Sequence, residues 1–251
     1  MSFFTPFAFI QQEIPTVVAN IVQNGLLSWL DQGNSSSYTS GSSDWLDLSG
    51  NNNSASLFNS PTFNTGGYFA YDGTDDYARI KANFYIQSAT KPSTVSVWFR
   101  TNASGALFIQ QGATDTDPSS AGGWIPWMYI DTNGKIRYSM GWTVLFSAQT
   151  RVSPSSYNDG NWYNATAVYD GNGTQSLYVN GTLVDSGSCQ GGGFDSGYQY
   201  FIGSGQTAFW PDAPGGYSFN GDIGPFNFYS KSLSGTDVDN NFDVLKSRYG
   251  Y

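Results

Sequence analysis

Thr94-Val95-Ser96-Val97-Trp98-Phe99-Arg100 alternates without a break. Val95, Val97 and Phe99 share one side, and Thr94, Ser96, Trp98 and Arg100 share the other. That period of two reads as a half-buried antiparallel strand, apolar toward a core and polar toward water. The same reading extends outward in both directions. Ala106 to Gln110, Trp127 to Ile130 and Lys135 to Met140 are strand-like, the last two joined by the turn Asp131-Thr132-Asn133-Gly134. Tyr163, Ala165, Ala167 and Tyr169 form one face of another strand. Leu177 and Val179 share a face before the turn Asn180-Gly181. Segments 68–71, 77–80, 198–202 and 219–229 complete the later set, and Val17 to Val22 and Leu26 to Leu30 are expected to pair around Asn24-Gly25.

Only the end reads as helix. Ser234 with Asp237 makes a capping-box pair. Val238, Phe242 and Leu245 then recur at helical spacing, with Lys246 and Arg248 near the C-terminal end, where the dipole favours cations. The 251 residues fit one sandwich domain. Charged residues make up 12% and aromatics 17%, and Gly, Ser and Asn together fill about a third of the chain. Such a chain favours short strands and turns over helices, and has too much apolar surface to stay disordered. The fold class is all-β: an antiparallel jelly-roll sandwich over residues 16–251, with a short C-terminal helix. Residues 1–15 form an extended N-terminal arm carrying Phe3, Phe4, Phe7, Phe9 and Ile10.

Composition also excludes functions. The net charge is −9, with 10 scattered basic residues, so neither nucleic acid nor an anionic membrane is an expected partner. No stretch is apolar enough to span a bilayer, and the N-terminus lacks the basic start of a signal peptide. There is no histidine, so no Ser-His-Asp or Cys-His machinery can form, and an ordinary zinc site is not expected. Cys189 stands alone in a Gly-rich stretch and is expected to be an inert thiol.

Several pieces, in order, resemble the laminin-G-like domains of the concanavalin A-like lectin/glucanase superfamily. They are the 25–31 stretch (Gly-Leu-Leu-Ser-Trp-Leu-Asp), the 45–51 stretch (Trp-Leu-Asp-Leu-Ser-Gly-Asn) and the 71–77 stretch (Tyr-Asp-Gly-Thr-Asp-Asp-Tyr). Then come Asp159-Gly160-Asn161-Trp162, the 177–181 stretch ending Asn180-Gly181, and Asn220-Gly221-Asp222-Ile223-Gly224 leading to Phe228 through Ser234. The resemblance implies a jelly roll of two curved sheets. It departs from the family at Tyr163 and Asn164, where His is common, and at Gly224, where Asp is common. The family's glucanases use paired glutamates. This chain has only Glu13, so no glutamate pair exists. Asp75 and Asp76, adjacent in sequence, would point to opposite faces of a strand rather than form the carboxyl pair about 5–5.5 Å apart that a retaining hydrolase needs. An enzyme is therefore not expected.

The resemblance also suggests calcium, for which Asp72, Asp75 and Asp76, with Asp222, form the best oxygen cluster. The alternative is a turn whose Asp side chains bind their own backbone N–H groups. Trp124, Trp127, Trp142 and Trp210, with Asp212, stand in loop-like contexts and are candidates for stacking on sugars. Their alternative role is to plug the open ends of the jelly roll. The short apolar arm ahead of such a domain resembles virion surface proteins of bacteriophages. The expected function is a non-enzymatic virion structural protein, a capsid-decoration or fibre component at the virion surface. Its partners would be virion proteins or its own copies through the arm, with cell-surface glycans as ligands. The alternative is a stand-alone carbohydrate-binding lectin.

Overall fold

The structure is a computed structural model and describes residues 20–80, 85, 88–113, 118, 121–139, 149–190, 198–216 and 218–251. The arm, with Phe3, Phe4, Phe7, Phe9 and Ile10, and Trp142 lie outside the described residues. Among the described residues, sixteen strands form two antiparallel sheets. The first half of the chain contributes β1 Leu26–Leu30, β2 Asp44–Trp45, β3 Ala55–Phe58, β4 Thr62–Asn64, β5 Tyr68–Asp72, β6 Tyr77–Ile80, β7 Ser93–Thr101 and β8 Gly105–Ala113. The second half contributes β9 Ala121–Ile130, β10 Lys135–Tyr138, β11 Arg151–Ser156, β12 Tyr163–Tyr169, β13 Thr174–Val179, β14 Thr182–Ser188, β15 Gln199–Ile202 and β16 Asn220–Tyr229. Helix α1 (Gly235–Leu245) and a 3₁₀ turn (Lys246–Tyr249) close the described chain.

One sheet runs β14-β13-β12-β7-β16-β5-β4, with β1 beside the far half of β16. The other runs β11-β10-β9-β8-β15-β6-β3-β2. Chain neighbours therefore often sit in opposite sheets, the topology of a sandwich. The core between them is aromatic. Phe108 packs edge-on to Trp127 at 5.6 Å and against Phe226 at 4.9 Å, and Trp45 meets Phe69 at 5.2 Å.

The central strand β7 is buried on both faces, which corrects the half-buried reading of Thr94 to Arg100. Its polar side is roofed by the C-terminal segment: Trp98 stacks on Phe242 at 5.4 Å and on Tyr249 at 4.5 Å. Ser96 joins Asn164 and Thr166 in a buried hydrogen-bond network, so its polarity is satisfied without water. The roof exists because α1 forms as its sequence dictates. Ser234 and Asp237 cap it reciprocally, and Val238, Phe242 and Leu245 are its buried face. Arg248 reaches back to Asp31 at 2.6 Å. Gly224 makes the close approach possible, since a Cβ there would lie 2.7 Å from the Tyr249 hydroxyl and 2.8 Å from Trp98 Cβ.

Of the strand expected over Val17 to Val22, residues 17–19 lie outside the described residues, and its described part does not pair with β1 around Asn24-Gly25. Residues 20–22 carry no strand, Val22 N–H donates instead to Asn241 Oδ1 at 2.8 Å, and β1 pairs with β16. Among the described residues, no helix is long and apolar enough to cross a membrane.

Candidate functional site

Two places on the surface gather residue types that could bind a ligand. The first is the turn between β5 and β6. Asp72, Asp75 and Asp76 place carboxylate oxygens within 4.8 Å of one another. Asp72 Oδ1 accepts the Thr74 N–H at 2.7 Å, and Asp76 Oδ2 accepts the Asp72 N–H at 3.1 Å. The backbone bonds hold the Asp72 carboxyl below its usual range. Asp76 is buried, and burial together with the charges of Asp72 and Asp75 pushes its carboxyl up to about 6. The Tyr71 hydroxyl, also buried, finds no partner, and its pKa is driven upward by desolvation and by Asp76.

Asp222 does not belong to this cluster, which corrects the four-residue expectation. It faces Arg100 across the β7–β16 ladder, and its Oδ2 accepts from Arg100 Nε at 2.8 Å and Nη2 at 2.5 Å. A carboxylate so engaged is already neutralised.

The second place is the loop 203–216 beside β9. Here the tryptophans separate. Trp127 is 1% exposed, lies in strand β9, and donates Nε1–H to Gln110 at 3.3 Å. Trp210 is also buried. Both are core residues and offer no face to a sugar, because their rings fill the space between the sheets. Trp124 belongs to β9 as well, against the loop reading, but it is only partly buried. Its Nε1–H donates to Ala208 O at 3.1 Å, and its ring stacks under Phe209 with centroids 6.2 Å apart.

Phe209 is 83% exposed and takes a φ of 69°. A bulky side chain in the left-handed region is held there only when its surroundings force it. The forcing contacts are visible: the Tyr129 hydroxyl donates to Pro211 O at 2.7 Å, Thr132 N–H donates to Asp212 O at 2.9 Å, and Arg137 bonds Asp212 Oδ2 at 2.5 Å. Asp212 thus anchors the loop while its side chain stays half exposed. Arg137 also pairs with the buried Asp131 at 2.7 Å. Sequence reading overlooked Phe209, although an aromatic directly ahead of Trp210-Pro211-Asp212 was the available signal.

Nothing among the described residues resembles a nucleophile with its base. Burial pushes the Cys189 thiol up to about 11, so it stays protonated and unreactive at neutral pH. Asp159 accepts the Asn161 N–H at 3.0 Å, and Asp170 those of Asn172 and Thr174 at 2.7 and 2.8 Å, in turns of their own making.

Residues 72–239 match the laminin-G type model described as the concanavalin A-like lectin/glucanases superfamily. No curated protein matches the sequence. Among solved structures, the chain resembles the binding domain of Paraclostridial Mosquitocidal Protein 1, with a TM-score of 0.62, 16% identity, and coverage of 89% of this chain and 53% of that one. It resembles Trypanosoma rangeli sialidase bound to the inhibitor DANA with a TM-score of 0.61, 14% identity, and coverage of 94% and 36%. It resembles the receptor binding domain of botulinum neurotoxin D with a TM-score of 0.58, 17% identity, and coverage of 88% and 53%. The chain spans a third to a half of the length of these structures.

Proposed function

We propose that this chain, which belongs to the concanavalin A-like lectin/glucanase superfamily, is a non-enzymatic virion structural protein that displays its jelly roll for surface glycan attachment. The observation that carries the glycan reading is Phe209, held almost wholly in water over Trp124 by a loop tied down at Ala208, Pro211 and Asp212. A rigid exposed ring costs little entropy on binding and offers a flat face to the C–H side of a sugar. Folds of this type serve as binding domains in two of the similar structures. The absence of histidine and of a paired glutamate supports a non-catalytic role.

The virion reading rests on the sequence of the arm. Phe3, Phe4, Phe7, Phe9 and Ile10 form an apolar segment suited to docking on virion proteins or on further copies of this chain. Burying five such side chains is worth roughly 1.5–3 kcal/mol each, while ordering the backbone costs about 1–2 kcal/mol per residue. Over the fifteen residues of the arm the ordering cost is about twice the gain, so a groove on a partner must supply the rest.

Calcium is the cofactor that the Asp72, Asp75 and Asp76 carboxylates fit. Three close oxygens and a buried carboxyl destabilised by its neighbours suit a hard cation. When bound, the ion would neutralise the turn.

Two experiments test the function. The first is immobilised-glycan binding by the intact chain and by Phe209→Ala and Trp124→Ala, with loss in both variants expected. The second is mass spectrometry of purified particles, in which the chain should copurify. A free monomer absent from particles would remove the virion assignment, and undiminished glycan binding by both variants would remove the site.

A further inference from the structure

The outer face of the β7-containing sheet carries a trough that neither place above includes. Two pockets, of about 460 and 500 Å³, meet over Arg100 and Gly160. Arg100 forms the floor. Its guanidinium lies 5.1 Å from the Trp162 ring centroid and 5.4 Å from that of Tyr68, and the bond to Asp222 fixes its plane. Gly221, at φ 151°, lets β16 approach this floor, since a Cβ there would stand 2.3 Å from Arg100 O.

The walls are amides and phenols. Asn102, Asn161 and Asn220 are exposed along the rim, and Asn180 donates to the Tyr251 hydroxyl at 3.0 Å. Tyr251, 49% exposed, in turn donates to Trp162 O. Asp159 holds Asn161 and the Tyr163 hydroxyl, each at 3.0 Å, so the wall is fixed before any ligand arrives. The charged lining side chains Arg100 and Asp222 cancel, and the Asp159 carboxylate behind the wall leaves the trough with no net positive charge.

The geometry points to a second binding site here, for a neutral oligosaccharide of at least two rings. An amide side chain offers donors and an acceptor together, which matches a hydroxyl. The half-exposed ring of Tyr251 offers an apolar face, and the Tyr163 hydroxyl reaches the wall from a ring packed against Phe99 and Tyr157. A cancelled ion pair on a chain of net charge −9 gives an anionic sugar no counterion. Volumes of this size are those of small-ligand clefts. The inference shares only its ligand class with the proposed function. Phe209 sits over the other sheet, on the loop that follows β15, so variants separate the two sites.

The test uses the intact chain and immobilised neutral, sialylated and sulfated oligosaccharides. The double variant Asn102→Ala/Asn161→Ala alters exposed side chains and keeps the fold. Tyr251→Ala removes a ring and is checked by its melting curve. Both are expected to weaken retention of neutral oligosaccharides about tenfold, the weight of one or two lost hydrogen bonds or a ring contact, while Phe209→Ala leaves trough binding in place. Three results overturn the inference: retention unchanged in the double Asn variant, retention confined to sialylated or sulfated ligands, or no neutral oligosaccharide retained at all. Loss on Phe209→Ala with no loss in the trough variants would sustain the proposed function and sink this site, and the converse would do the opposite.

Discussion

Replacing Phe209 by glycine should leave the protein about as stable as before while weakening its hold on glycans. The backbone there has φ 69°. A left-handed conformation costs an L-residue about 1–2 kcal/mol, and glycine escapes that cost. Glycine's freer unfolded chain returns about 0.5–1 kcal/mol of it. The ring itself is 83% exposed and meets Trp124 only at 6.2 Å, so losing that contact takes about 0.5 kcal/mol, the low end for an aromatic pair. The balance lies between about 0.5 kcal/mol of loss and about 1 kcal/mol of gain, a melting shift within about 4 °C for a domain this size. Phe209→Ala separates the two effects. It loses the ring but keeps the strain, so it should be less stable than Phe209→Gly by about 1 kcal/mol, the reverse of the usual order of alanine and glycine. Urea midpoints at unchanged slope measure both. A loss of more than about 2 kcal/mol on Phe209→Gly would refute the reasoning, because the ring would then be supporting the loop instead of being displayed by it.

Trp127→Ala should cost about 3–5 kcal/mol, since a fully buried ring leaves a cavity; urea denaturation decides, and a cost near zero would return Trp127 to the surface. Gly224→Ala should destabilise by about 1–3 kcal/mol by wedging Tyr249 from Trp98, seen as a lowered melting temperature with lost aromatic circular dichroism. Asp76 sets a pH dependence. Its folded value, about 6, lies above the ordinary 3.8, so the folded chain holds the proton more tightly and stability falls as pH rises through that window. The depressed Asp72, Asp159, Asp170 and Asp237 act lower, losing their contribution only as pH drops below the ordinary carboxylate range. Melting at about pH 5 should therefore exceed that at about pH 7.5 in chelator, and Asp76→Asn should abolish the difference. Added calcium should raise the melting temperature at neutral pH in the parent and not in Asp76→Asn.

Local chemistry was legible in the sequence wherever it acts over a few residues. Ser234 with Asp237, the Asp131 turn and the Asn180-Gly181 turn each specify their backbone from within, and each stands where expected. What needed the tertiary structure was the second face of β7. Trp98 alternates like a solvent-side residue, and only the return of Phe242 and Tyr249 from far along the chain buries it. The same long-range logic took Asp222 from the acidic turn to Arg100, and it assembled the trough from β7, β16 and the chain's end. The tryptophans divided for a physical reason. A Trp beside Pro and Gly reads as a loop residue, yet β9 runs through Ile125-Pro126 and turns Trp127 inward while leaving Trp124 near the surface.

The central claim is recognition without turnover, and one mixture tests it. The intact chain is incubated with surface glycans, and the retained and free fractions are weighed by mass spectrometry. The account predicts glycan retained at unchanged mass, with retention weakened in Phe209→Ala. Shortened glycan in the free fraction, or no glycan retained by the parent chain, would contradict it.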